Sequence, residues 1–143
     1  MEFHSETQKQ ALKVGEQCFA ARLRKLNRMV SKYYDDCFRP FGITVAQFNL
    51  LTAISARGET SPTLLVKTLC LEKSTVSRNI EKMITRGWIS AASGEDKRTQ
   101  ILTLTDEGAE LMDVVLPAWR EAQEKTEKAV GDLAQLVTDV QIS

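Results

Sequence analysis

Between Glu72 and Thr105 the chain changes from the periodicity of a helix to that of a hairpin, with a basic tip between the two arms. Val76, Ile80, Met83 and Ile84 fall at i, i+4, i+7 and i+8, so they share one helix face, and that face must be buried. At roughly 100° per residue the far side carries Ser74, Ser77, Arg78, Glu81 and Thr85, with Thr75 and Lys82 on its shoulders. A plain solvated face would favour Glu, Lys and Gln for their helix propensity. Short hydroxyl side chains near a helix start suit first turns that come close to phosphates and base edges.

Gly87 has the place of a helix-ending residue, and Trp88 and Ile89 return the chain to the core. Ile101, Leu102 and Leu104, with Thr99, Thr103 and Thr105, predict the returning arm of a hairpin whose turn chemistry comes from Ser93 and Gly94. Glu95, Asp96, Lys97 and Arg98 lie between the arms. An arginine on a narrow loop suits the negative potential of a minor groove, and Asp96 is placed to hold Arg98.

The run Asp96-Lys97-Arg98 followed by Leu104-Thr105 resembles the wing signature of the multiple-antibiotic-resistance regulator (MarR) family, Asp-x-Arg and then Leu-Thr. Ser74-Thr75-Val76-Ser77-Arg78 is similar to the opening of that family's recognition helix, and the resemblance extends over roughly residues 10–140. It implies a winged helix-turn-helix regulator whose flanking helices form a homodimer.

Composition agrees with a single domain. A chain of 143 residues is long enough for one real core and too short for two ordinary ones. No apolar run approaches the roughly 20 residues that span a bilayer, and the first residues lack a signal peptide's basic and apolar regions, so the cytoplasm is the expected location, with no membrane partner. The net charge is zero but unevenly spread. Residues 1–60 carry nine Lys and Arg against six Asp and Glu, residues 61–105 seven against four, and residues 106–143 three against nine. A basic face on a neutral chain is therefore allowed.

Cys18, Cys37 and Cys70 are odd in number and widely spaced, which gives no disulfide framework. With His4 as the only histidine, no metal site or cofactor is expected. No acid–base pair or nucleophile–base set has recognisable spacing, so no catalytic residue is assigned and an enzyme is not expected. A dimeric protein-binding adaptor without DNA binding is the alternative.

Residues 1–8 are polar and expected to be disordered. From about Gln10 to Phe38, Phe19, Leu23, Leu26, Val30, Tyr33 and Cys37 recur at steps of four and three, a heptad-like seam on one helix about 40 Å long. That exceeds what one small core covers, so part of it should pack on another subunit. Arg39-Pro40-Phe41-Gly42 breaks the helix. Thr44 to Gln47 reads as a capping box for a helix that buries Phe48, Leu51 and Ile54 and stops at Gly58. Ser61 and Pro62 open the next helix, carrying Leu64, Leu65 and Leu69, and the tight turn through Cys70 and Leu71 makes a helix-turn-helix. Thr105 caps a long helix that Pro117 bends without ending. Gly131-Asp132 breaks it, and Leu133, Leu136, Val137 and Val140 form a last amphipathic helix. The reading is mainly α with a small β-wing: one domain over 1–143, with dimerisation helices at 10–38 and 106–143 around a winged helix-turn-helix at 44–105.

A two-fold dimer sets its recognition helices about 34 Å or a multiple of it apart, so the expected partner is double-stranded pseudo-palindromic DNA. Ser74, Thr75, Ser77 and Arg78 are assigned to the groove, Lys73 and Lys82 to phosphates, and Asp96, Lys97 and Arg98 to the wing. Arg78 suits bidentate guanine readout, worth about 1–3 kcal/mol of discrimination. Ser61 and Thr63 at a helix start suit a backbone phosphate. Glu81 has two roles open to it, orienting Arg78 or accepting from a cytosine.

Two regulatory readings stand side by side. Cys18, just before Phe19-Ala20, resembles the sensing cysteine of the family's organic-hydroperoxide branch, although Arg22 stands where that branch has a tyrosine. A lone cysteine on an amphipathic helix is more often a small core residue, the competing reading for Cys18, and Cys37 and Cys70 are read as packing residues. The resemblance also implies a pocket between the first, second and fifth helices for aromatic acids or lipophilic compounds, with Tyr33, Tyr34, Phe38, Phe48 and Trp119 as its walls or as core.

Overall fold

In the computed structural model, which describes residues 5–132, Ser5 accepts from the Gln8 backbone N–H and opens helix α1, Glu6–Gln17. Residues 6–8 are thus helical, not disordered. The expected single helix from Gln10 to Phe38 is two: Cys18 leaves helical geometry with ψ 110°, and α2 runs from Phe19 to Phe38. A heptad pattern reports which side chains share a face and is silent about one extended residue inside it.

Beyond α2, Pro40 sits in a 3₁₀ turn, Arg39–Phe41, and Gly42 closes it in the left-handed region at φ 68°. Helix α3, Val45–Arg57, starts at the expected capping box. It carries a second cap that sequence reasoning missed, because Asp35 of α2 accepts from the Val45 N–H at 2.8 Å. Gly58 ends α3, and strand β1, Glu59–Thr60, follows. Ser61 caps α4, Pro62–Leu69, which buries Leu65 while Leu64 is 37% exposed. Cys70 then takes the left-handed conformation at φ 53° and is exposed, so it is a turn residue and not a packing one.

Helix α5, Lys73–Thr85, buries Val76, Ile80 and Met83, but Ile84 lies off that face at 38% exposure. Its end is a Schellman motif: the Gly87 N–H reaches the Ile84 carbonyl and the Trp88 N–H the Met83 carbonyl. Strands β2, Ile89–Ser93, and β3, Gln100–Leu104, pair antiparallel, with Thr99 in the loop and not in the strand. β1 adds to the outer edge of β3 in the order β1-β3-β2, with Glu59 opposite Thr103.

The Leu104-Thr105 pair has a physical explanation here. Leu104 registers against Ile89, while the Thr105 hydroxyl donates to the Gly87 carbonyl and accepts from the Gly108 N–H. One side chain fastens the end of α5 to the start of α6, Asp106–Val130. Pro117 lies inside that helix without ending it, and Gly131 caps it. The expected helix over 133–140 lies outside the described residues. α2 packs along α6, and the shared core holds Phe38, Leu51, Ile54, Met83, Leu102 and Val115 with no exposed surface.

Candidate nucleic-acid interface

Because Val76, Ile80 and Met83 are anchored, the opposite face of α5 is fixed outward, and Ser74, Ser77, Arg78, Glu81 and Lys82 are all exposed on it. Lys73 is exposed at its first turn. Glu72 stands at the N-cap without a side-chain hydrogen bond, so no side chain of the cap occupies the first-turn N–H groups. Among the described residues no ion pair involves Arg78 or Glu81. The guanidinium is left available for a hydrogen-bond acceptor.

Thr75 departs from the expected set. It is half-buried at the edge of that face, and its backbone carbonyl accepts from Asn79 Nδ2 at 3.1 Å. Ser61 spends its acceptor on the Leu64 N–H at 3.2 Å, which leaves its hydroxyl proton to donate, and Thr63 is exposed nearby on α4.

The wing stands away from the body, since β2 is exposed from Ser90 onward. Its tip is closed by the Gly94 N–H to the Thr99 carbonyl at 2.7 Å and the Thr99 N–H to the Asp96 carbonyl at 2.8 Å. Asp96 does hold Arg98, but by accepting from the Arg98 backbone N–H at 3.1 Å. The guanidinium is not gripped, and Lys97 and Arg98 are both exposed. The wing and α5 are joined through Arg86, missed in sequence, whose guanidinium lies 4.6 Å over the Trp88 ring and beside Gly42. A cation–π pair between residues two apart at a helix end follows neither the helix nor the strand period.

Tyr34, Phe38 and Phe48 are buried against one another, with ring centroids 6.0 Å and 5.1 Å apart, and the Tyr34 hydroxyl donates to Gln123 Oε1. Burial pushes the Tyr34 phenol above its ordinary range. Tyr33 and Trp119 are half-buried at the edge. Cys18 is half-buried at the α1–α2 break, and Cys37 receives a hydrogen bond from Lys125 at 3.8 Å. Among the described residues, no His, Cys, Asp and Glu group could hold a metal ion and no helix is long and apolar enough to cross a membrane.

Comparison with known proteins agrees with this geometry. Residues 41–99 match the model of the MarR family. The chain is 30% identical over 80 residues to the HTH-type transcriptional regulator YwoH of Bacillus subtilis, covering 56% of this chain and 58% of that protein, so less than two thirds of the relative is spanned. Its fold superposes on the M. tuberculosis transcriptional regulator MosR in complex with DNA with a TM-score of 0.77 at 29% identity, over 86% of this chain and 90% of that one. It also superposes on Bordetella bronchiseptica BpsR, whose DNA binding is regulated by 6-hydroxynicotinic acid, with a TM-score of 0.71 at 22% identity, over 87% and 96% of the chains. The helix-turn-helix, the Asp96-to-Arg98 wing and the Thr105 fastening make the chain a winged helix-turn-helix protein, similar over residues 41–99 to the MarR family.

Proposed function

We propose that the chain is a homodimeric, sequence-specific DNA-binding transcriptional regulator, a repressor released by a small molecule or by oxidation of Cys18. The observation that carries this reading is the outward face of α5, where Ser74, Ser77 and Arg78 stand exposed and unpaired above a fully buried opposite face. Short donors near the axis and one long guanidinium beyond them match a helix that enters a major groove. The exposed wing pair Lys97 and Arg98 supplies the second contact. The dimer is supported by Phe19 and Leu23, large apolar side chains left in solvent on the seam that was expected to meet another subunit.

The test is binding to a pseudo-palindrome selected from random duplex, followed as salt is raised. Six phosphate contacts predict a loss of about 10³-fold in affinity between 50 and 200 mM salt through counterion release. The protein-binding adaptor predicts no duplex binding at any salt. Hydroperoxide that abolishes operator binding in the wild type and not in Cys18→Ser would assign release to oxidation; equal insensitivity would assign it to a ligand.

A further inference from the structure

A cleft of about 510 Å³ lies between α2, α3 and the first turns of α5, on the side of α3 away from Phe48 and Leu51. Its volume falls in the ordinary range for small-molecule sites, roughly 300–1,000 Å³. Ala46, Ala53 and Ala56 keep it open, and Leu50, Leu69 and Leu71 give it apolar walls. Convergent polar groups come from three helices: Asn27 and Ser31 of α2, Asn49 of α3, and Thr75 and Asn79 of α5. Thr52 also lines it, but its hydroxyl is committed to the Phe48 carbonyl at 2.8 Å. Asn79 spends its Nδ2 on the Thr75 carbonyl, which leaves its Oδ1 to accept.

In a chain that is 27% charged, no Asp, Glu, Lys, Arg or His lines this cleft. A carboxylate moved from water into it would lose hydration and meet no counter-charge, whereas an amide, alcohol or ether would exchange water for Asn and Ser partners. We infer that the cleft is a binding site for a small uncharged molecule carrying hydrogen-bonding groups on an apolar frame. An acid such as that of BpsR is the wrong class for it. The inference deepens the regulator reading and rests on it for its consequence: one wall is the helix assigned to DNA and another is the helix assigned to the dimer. An occupant fixes the angle between them, and operator and ligand weaken each other by the same factor.

Benzamide and benzoate, one ring with a neutral and an anionic head, are titrated into the full chain while amide and carboxamide NMR shifts are followed. Benzamide is expected to shift the Ser31, Asn49 and Asn79 resonances with about millimolar affinity, as suits so small a ligand. Benzoate should need at least about ten-fold more. Asn49→Trp, or Ala53→Phe should that variant misfold, fills the cleft and should abolish the response. Equal response to benzoate, an unaltered response in the filled variants, or silence at about 20 mM benzamide overturns the inference. Since the readout uses free protein, failure of operator binding would remove the regulator reading and leave this result standing.

Discussion

The two ends of α2 carry the same side chain to opposite fates. Phe38 has no exposed surface and stacks near Phe48, while Phe19 is 79% exposed. Leu12, Val14 and Leu23 share the fate of Phe19; Tyr34 shares that of Phe38. The C-terminal half of α2 therefore belongs to the chain's own core, and α1 with the other half presents apolar area that this core does not reach. Burial is a property of what stands opposite, and hydrophobicity alone does not set it. Phe38→Ala should cost about 4 kcal/mol of unfolding free energy in urea titrations. Phe19→Ala should change the stability of the dissociated chain by less than about 0.5 kcal/mol, yet raise the dimer dissociation constant at least about ten-fold by sedimentation. Equal losses of folding stability for both would erase the distinction.

The junction between wing and α6 should behave like the Phe38 end, although nothing apolar marks it. A Cβ on Gly108 would run into the Trp88 carbonyl and the Leu104 side chain. Gly108→Ala is expected to cost about 3 kcal/mol, since backbone and not a flexible side-chain tip must give way. A thermal midpoint equal to the wild type would show that α6 slides freely past the hairpin.

These cases also show what the sequence could reveal. Thr44, Ser61 and Thr105 were legible because a cap is decided by residues three apart. The two-residue β1 was not, because Glu59 pairs with Thr103 far along the chain and so short a strand has no periodicity. The outward face of α5 followed from its buried one. Thr75, however, sits at the edge where a few degrees of rotation decide between groove and cleft. The contact of Phe38 with Phe48 was not legible, because spacing places each on a helix face without saying that those faces meet each other.

Arg78 and Arg98 separate the two surfaces assigned to DNA. Arg98 sits on a tip whose backbone Asp96 fixes while the guanidinium is unpaired, so Arg98→Ala should weaken operator and random duplex alike and flatten the salt dependence by about two units of slope, one for each protomer of the dimer. Arg78→Ala should cost about 1–3 kcal/mol on the operator and less on random duplex, with base preference relaxed at one position of each half-site. Equal losses on both duplexes for both variants would contradict the division.

The smallest effect lies on the solvent side of the anchored end of α2. Asp36 accepts from Lys32 at 2.8 Å and from Arg39 at 2.6 Å, and these partners, Lys32 foremost, hold its carboxyl below the ordinary value. A carboxyl depressed in the folded chain contributes stability above its unfolded pKa, and that contribution is lost as pH falls through the folded value. Asp36→Asn should therefore lower the urea midpoint slightly near neutrality and converge with the wild type below about pH 4. Salt should narrow the gap, because exposed pairs are screened. A gap that persisted in acid would mean that Asp36 acts through the shape of the α2 terminus and not through its charge, which would make that end as dependent on backbone fit as Gly108.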